Sequence, residues 1–291
     1  MNDRQPGPLV TDAWLAGHLD DADIRLVHVS IDRHAYDEAH IPGAIFVDLH
    51  VDLAKAGVRP ETGTASREYL VPSREEVADS LASWGVAPGT RLVFYDDAGQ
   101  GRHAIRGYWL LRLYGYPHEL LHVLDGGLGF WQSEGRATTS EAFEPFRVAG
   151  TERLHEMNRA VIATADDVLA WSREAGAPNG PTRLLDVRTA DEFRGLDVRS
   201  RRGGHVPRAA NRPFEDFVAP DGRLRSAAEA LALVRDAGVN PEELRATYCQ
   251  GGVRASLVWF VMSEVAGLPN VKDYAESWEE WGNRQDLPAE K

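Results

Sequence analysis

The sequence predicts an α/β protein of two tandem domains, each a mostly parallel sheet flanked by helices. Three observations carry that expectation. The chain repeats its pattern once, at a spacing of roughly 150 to 160 residues. In both halves short β-favouring runs alternate with helical ones. At 291 residues, 43% hydrophobic and 26% charged, the chain is long enough for two cores and has a globular composition.

Taken in order, "IRLVHVS" (24–30) is the first strong strand, and "AYDEAHIPGAIFVDL" (35–49) supplies a helical turn, a Pro-Gly loop and a second strand. Ser73 and Glu76 form the S-x-x-E pattern of a capping box and predict the start of a helix. "RLVFYDDAGQGRHAIRGYWLLRLYGY" (91–116) reads as strand, turn and long helix, and "LLHVLDGGLGFW" (120–131) as strand and helix. The second half answers each part. "TRLLDVR" (182–188) with "DEFRG" (191–195) and "GHVPRAANRPFEDF" (204–217) matches the opening, and Ser226 with Glu229 is a second capping box. "LRATYCQGGVRASLVWFVMSEVAGL" (244–268) matches the central strand and helix, with an apolar helical run from Ala255 to Ala266. "NVKDYAESWEEW" (270–281) closes the repeat and sets Trp281 against Trp131. The periodicity breaks over 138–158. Residues 1–140 are therefore the first domain, 141–158 a linker and 159–291 the second domain.

Matching Tyr95 to Tyr248 sets Asp96 against Cys249, so one half ends its central strand on a carboxylate and the other on the chain's single cysteine. One cysteine excludes an internal disulfide framework, and the opening residues carry no apolar leader-like run. Both suit a cytoplasmic protein. No run approaches a membrane span. The net charge of −13 argues against nucleic acid or an anionic membrane surface as partner. His34, His103, His118 and His122 lack ligand spacing with Cys249, so no metal is expected. Gly99 and Gly101 lack the third glycine and acidic partner of a dinucleotide fingerprint.

The stretch Cys249, Gln250, Gly251, Gly252, Val253 and Arg254 lies between a strand and a helix, where open α/β sheets bind ligands. The glycine pair lets the backbone curl so that its N–H groups face inward, and the helix start adds its positive dipole end. An anion there is stabilised, so Cys249 is expected as a thiolate nucleophile. Arg254 adds a positive charge, read as an anion contact with bracing of the loop as the alternative. Ser256 is a candidate hydroxyl donor or helix cap. A loop of Cys-x4-Arg is one residue shorter than a phosphoryl-wrapping Cys-x5-Arg loop, and suits a sulfur atom bonded to the cysteine sulfur.

With "AHIPGAIFVDL", "VFYDDAGQGRHAIRGYWLLRLYGY", "LLDVRTADEFRG", "YCQGGVRAS" and "WEEWG" in place, the chain resembles the tandem-domain rhodaneses, the thiosulfate and 3-mercaptopyruvate sulfurtransferases, over nearly its whole length. The resemblance implies two rhodanese-like domains, a catalytic Cys249 in the second, and no cofactor. It implies that Cys249 attacks a sulfane donor, becomes a persulfide, and passes the sulfur to a thiophilic acceptor such as cyanide, a thiol or a thioredoxin-like protein. A monomer is implied as well. The alternative is a non-catalytic persulfide carrier or redox-sensing module.

Small anionic donors call for cations. Six arginines lie between Arg188 and Arg208, in an insertion that makes Phe193 to His205 longer than Tyr36 to His40. Arg201 and then Arg199 are the preferred donor-binding residues, while Arg188 pairs with Asp186. His40 and His205 occur in both halves and are read as structural. The chain departs from the family pattern at Glu192, Gln250, Gly251, Arg208 and Glu276, which leaves thiosulfate favoured over 3-mercaptopyruvate as donor.

Overall fold

The computed structural model describes residues 6–58, 65–148, 154–175 and 180–291. They fall into two compact units. The first holds Met1–Lys55, Val71–Asn158 and Ala219–Leu224, and the second holds Ala56–Leu70, Arg159–Val218 and Arg225–Lys291.

In the first unit, strands β1 (Leu9–Val10), β2 (Ile24–Ser30), β3 (Ile45–Asp48), β6 (Arg91–Asp96) and β7 (Leu121–Leu124) form one sheet in the order β1-β7-β6-β2-β3. Every pair is parallel. Between β3 and β6 in sequence a separate two-stranded sheet joins β4 (Lys55–Val58) to β5 (Ala65–Leu70), and all of it after Lys55 is grouped with the second unit. Helices α1 (Asp12–Ala16), α2 (Arg33–Glu38), α3 (Arg74–Ser83), α4 (Arg102–Leu113) and α5 (Gly127–Ser133) alternate with the strands. Val10, Leu15, Leu26, Val93, Tyr95, Leu124 and Trp131 fill one core cluster. The capping box at Ser73 is formed, Ser73 Oγ accepting from Glu76 N and the Glu76 carboxylate from Ser73 N.

The second unit carries a four-stranded sheet in the order β11-β10-β8-β9, from β8 (Leu184–Asp186), β9 (Ala210–Asn211), β10 (Ala246–Tyr248) and β11 (Lys272–Asp273), again parallel throughout. Around it lie α6 (Ala165–Ala175), α7 (Ala190–Phe193), α8 (Ala227–Asp236), α9 (Val253–Phe260) and α10 (Ser277–Trp281). Val168, Leu184, Ala246, Tyr248, Tyr274, Trp278 and Trp281 form its core. Ser226 and Glu229 make their capping box, and Thr189 with Glu192 makes a third that the sequence reading did not single out. The fold is thus the expected pair of parallel α/β sheets, because inner strands such as β6 and β10 are buried along their length and must be covered on both faces.

The repeat holds at the level of single hydrogen bonds. Tyr95 pairs in register with His28 and accepts the Ile41 N–H at 3.0 Å; Tyr248 pairs with Asp186 and accepts the Val206 N–H at 3.1 Å. The histidine preceding each amide stacks on an aromatic ring, His40 on Tyr36 at 3.8 Å and His205 on Phe193 at 3.6 Å. Each also donates from Nδ1 to the carbonyl of that same aromatic residue, at 2.7 and 2.9 Å. Both histidines fasten the turn ahead of the next strand.

Two details differ from expectation. The helix after Cys249 starts at Val253, two residues before the Ala255 expected, because Gly252 enters left-handed space at φ 88° and caps it; beyond Phe260 the run continues as a π-helical turn, Val261–Val265. Residues 141–148 of the expected linker are fixed to the first unit through Phe143 N to Tyr36 Oη (3.2 Å) and Val148 N to Ala82 O (3.1 Å). Its residues 149–153 lie outside the described residues.

Tyr95→Phe leaves the buried Ile41 N–H without its acceptor. We expect a loss of about 1–3 kcal/mol in urea unfolding. A change below about 0.5 kcal/mol would mean that the hydroxyl does not hold this turn.

Candidate active site at the Cys249 turn

Strand β10 lies inside its sheet, between β8 and β11, and ends at Tyr248. Cys249 follows, 1% exposed, and the chain turns through Gln250, Gly251 and Gly252 into α9. Gly252 must be glycine twice over. Its φ is positive, and a Cβ there would sit 2.5 Å from the Ala275 carbonyl oxygen. The turn brings the Gly252 N–H to 3.1 Å from Cys249 Sγ, so the sulfur accepts a backbone hydrogen bond at the positive end of α9.

The segment after β11 clamps the turn from the other side. Trp278 N donates to Cys249 O (3.0 Å), Glu279 N to Gln250 O (2.8 Å), and Cys249 N to Ser277 Oγ (3.0 Å). Ser277 Oγ donates to Tyr274 O at 2.7 Å and lies 4.0 Å from Cys249 Sγ. Ser277 holds this position at φ 53°, unusual for a residue with a side chain. The sequence reading missed it. A signal was present: with Trp131 set against Trp281, Ser277 falls on Gly127, whose φ is 57°. One half spends a glycine on a strained backbone, and the other keeps a serine there beside its thiol.

Asp96 shows what the first unit does with the equivalent turn. Its carboxylate accepts the N–H groups of Gly101 (3.3 Å), His103 (2.9 Å) and Ala104 (3.4 Å), so the start of α4 carries its own anion. In the second unit a neutral-sized sulfur stands at the end of the strand instead.

The six residues Cys249 to Arg254 form the turn and first helical residues, and of the two roles open to Arg254, anion contact and bracing, its side chain takes up the second in this structure. Its two terminal nitrogens grip the Glu192 carboxylate at 2.7 and 2.8 Å. Glu192 is 1% exposed and also accepts Thr189 N (3.1 Å) and Thr189 Oγ1 (3.2 Å). Burial would raise the Glu192 pKa, but the bonds and charge of Arg254 overcome it and bring it to about 2. Burial would likewise lower that of Arg254; its bonds to Glu192 and the neighbouring Cys249 raise it above its ordinary value. Arg254 therefore braces the turn. Ser256 is neither a cap nor an anion donor, since its hydroxyl donates to Val253 O at 2.8 Å.

Arg199 and Arg201 lie on the arginine-rich loop, which the Gln250 side chain ties to the cysteine turn through Ser200 Oγ at 3.1 Å. Arg199 is held by Asp197 at 2.8 Å and lies 3.7 Å from Glu192. Arg201 anchors by its backbone N–H to Asn283 Oδ1 at 2.9 Å; among the described residues its exposed guanidinium makes no ion pair or side-chain hydrogen bond. Arg188 pairs with Asp186 at 2.6 Å and lies over the Trp278 ring at 4.7 Å. Among the described residues no cluster of three His, Cys, Asp or Glu side chains is placed to hold a metal, and no helix is long and apolar enough to cross a membrane.

Comparison with known proteins matches the rhodanese-like domain twice, at residues 11–134 and 164–284. The chain belongs to the rhodanese-like family. Among its relatives are a thiosulfate sulfurtransferase of Corynebacterium glutamicum, 32% identical over 98% of this chain and 91% of that protein, and the sulfur carrier protein TtuD of Thermus thermophilus, 32% identical over 100% and 99%. Its fold is shared by the anaerobic ergothioneine biosynthesis enzyme of Chlorobium limicola, with a TM-score of 0.81 at 23% identity over 98% of this chain and 70% of that one. The first family match covers β2, β3, β6 and β7, with β1 just ahead of it, and the second covers the whole four-stranded sheet and the entire cysteine turn.

The Glu192 value sets a pH dependence. A carboxyl held at about 2 when folded, against an ordinary 4.5, adds stability that is complete above pH 4.5 and is lost as pH falls through 2. We expect about 3 kcal/mol from this group to disappear over that window in urea titrations. The Glu192→Gln variant should lack that part of the acid sensitivity, and an unchanged profile would contradict the pairing.

Proposed function

We propose that this chain is a sulfurtransferase that draws a sulfane sulfur from thiosulfate and delivers it through a Cys249 persulfide. The thiolate attacks the outer sulfur, the S–S bond of thiosulfate breaks, and its electron pair leaves on sulfite. A thiol, cyanide or a thioredoxin-like protein then takes the terminal sulfur and restores the thiolate. The single observation that carries the reading is the placement of the chain's one thiol. Its Sγ receives a backbone N–H at a left-handed turn that opens a helix, so negative charge on that sulfur meets a backbone donor. No organic cofactor enters this scheme.

Arg201, with an unengaged guanidinium on the loop tied to Gln250, is the residue we assign to attract the anionic donor, with Arg199 second. 3-Mercaptopyruvate is the alternative donor. A second reading, a carrier that stores persulfide sulfur for a partner without steady turnover, is favoured by the likeness to the Thermus sulfur carrier protein over its whole length.

Intact-protein mass spectrometry after incubation with thiosulfate, or separately with 3-mercaptopyruvate, tests the reading. Wild type should gain the mass of one sulfur atom and Cys249→Ser none; a protein that neither donor loads would refute it. Steady thiocyanate production from cyanide separates an enzyme from a carrier, which would load once and stall.

Ser277→Ala removes the acceptor of Cys249 N, and we expect a roughly tenfold slower loading rate with the fold retained. Stopped-flow loading at wild-type speed would show Ser277 to be dispensable for setting the thiol.

A further inference from the structure

We propose that Glu192 sets the donor specificity of the Cys249 turn by cancelling the charge of Arg254, so that the turn takes sulfane donors carrying one negative charge as well as the doubly charged thiosulfate. This rests on the sulfur-transfer reading above.

The inference comes from counting charges that touch the turn. Arg254 is the one cation within Cys249 to Arg254. Both of its terminal nitrogens are bound by Glu192, and two further bonds from Thr189 hold that carboxylate in place, so the pair cannot open without stripping a buried anion of four contacts. The other buried arginine of this region, Arg188, is neutralised in the same way by Asp186. Arg199 leans toward Glu192 but is shared with Asp197. The immediate surroundings of Cys249 therefore offer a donor backbone N–H groups and no net positive charge. Hydrogen bonds of that kind accept a single charge well. A second negative charge, brought beside a thiolate in a buried turn whose one cation is already paired, meets repulsion that no free cation within the turn offsets.

Gln250 points the same way. Its Nε2 donates to Ser200 Oγ, and Ser200 Oγ donates onward to Trp278 O at 3.3 Å, which fixes the amide with Oε1 as its free end. That oxygen is buried and has no partner among the described residues. The residue next to Cys249 thus leaves a buried acceptor, and not a cation, without a partner.

Organic thiosulfonates are the matching donor class. In methanethiosulfonate a methyl group replaces one oxyanion of thiosulfate, and the reacting S–S bond is otherwise alike. The Cys249 thiolate attacks the terminal sulfur, a Cys–S–S bond forms, the sulfur–sulfonyl bond breaks, and the electron pair leaves on methanesulfinate. No oxidant or reductant is needed.

The experiment measures kcat/KM for thiosulfate and methanethiosulfonate, with cyanide as acceptor, and uses the ratio between donors to remove general losses. Glu192→Gln should shift that ratio about tenfold toward thiosulfate. Glu192→Asp, which keeps the charge, should stay near wild type. The double variant Glu192→Gln/Arg254→Gln, neutral like the native pair, should return to within about threefold of the wild-type ratio. Where Glu192→Gln does not fold, Arg254→Gln against the double variant makes the same comparison, with its ratio moving away from thiosulfate. A ratio unmoved by the single variants, or a double variant that keeps the shift, would overturn the charge argument while leaving sulfur transfer intact. Failure of both donors to load wild-type Cys249 in the mass measurement would instead remove the reading on which it stands.

Discussion

The second unit is organised around the close approach of Gly252 to the Ala275 carbonyl. A central strand has to hand over to a helix within four residues, and it does so by crossing left-handed space where no side chain fits. That crossing aims the Gly252 N–H at the sulfur and delivers the turn to the segment beyond β11, whose Trp278 and Glu279 amides hold the Cys249 and Gln250 carbonyls. The backbone polar groups of a buried turn must be met, and here the segment from Tyr274 to Glu279 meets them. Trp278 closes the arrangement by donating its indole N–H to Arg202 O at 3.1 Å, which draws the arginine-rich loop in as well.

The two halves solve the same electrostatic problem differently. A helix that starts at the end of a strand presents unpaired N–H groups. In the first unit Asp96 satisfies them from within the chain. In the second unit a sulfur takes that station, and the Glu192 carboxylate is bound to the Arg254 guanidinium. The first arrangement is complete as it stands, while the second is suited to gaining and losing an anionic group.

Much of this was legible in the residues. The doubled pattern located both sheets; the capping boxes at Ser73 and Ser226 started their helices where expected; Arg188 and Asp186, two residues apart, could be paired on spacing alone. The cysteine turn could be found because its parts are contiguous. What could not be read is what depends on distant residues. Glu192 and Arg254 are 62 positions apart in sequence, and only the fold decides that they face one another. Ser277 owes its role to the neighbouring strand and to a backbone angle that composition does not announce. Arg202 looked like one of six loop arginines, yet it donates to the carbonyls of Trp281, Arg284 and Leu287 at 2.6–2.8 Å and is structural. Residues Ala219–Leu224 lie within the second half of the sequence but belong to the first unit, where Leu224 N donates to Asp125 Oδ1 at 2.8 Å. A linear repeat carries no trace of such an exchange.

The depth of Cys249 has a steric meaning for whatever takes its sulfur. At 1% exposure the thiol is out of reach of a bulky reagent. A second sulfur bonded to it would stand about 2 Å further out. Such loading would therefore move the reacting atom away from the recessed position of the thiol. Access, and not reactivity alone, would then distinguish the charged protein from the empty one, and a large acceptor would meet only the former.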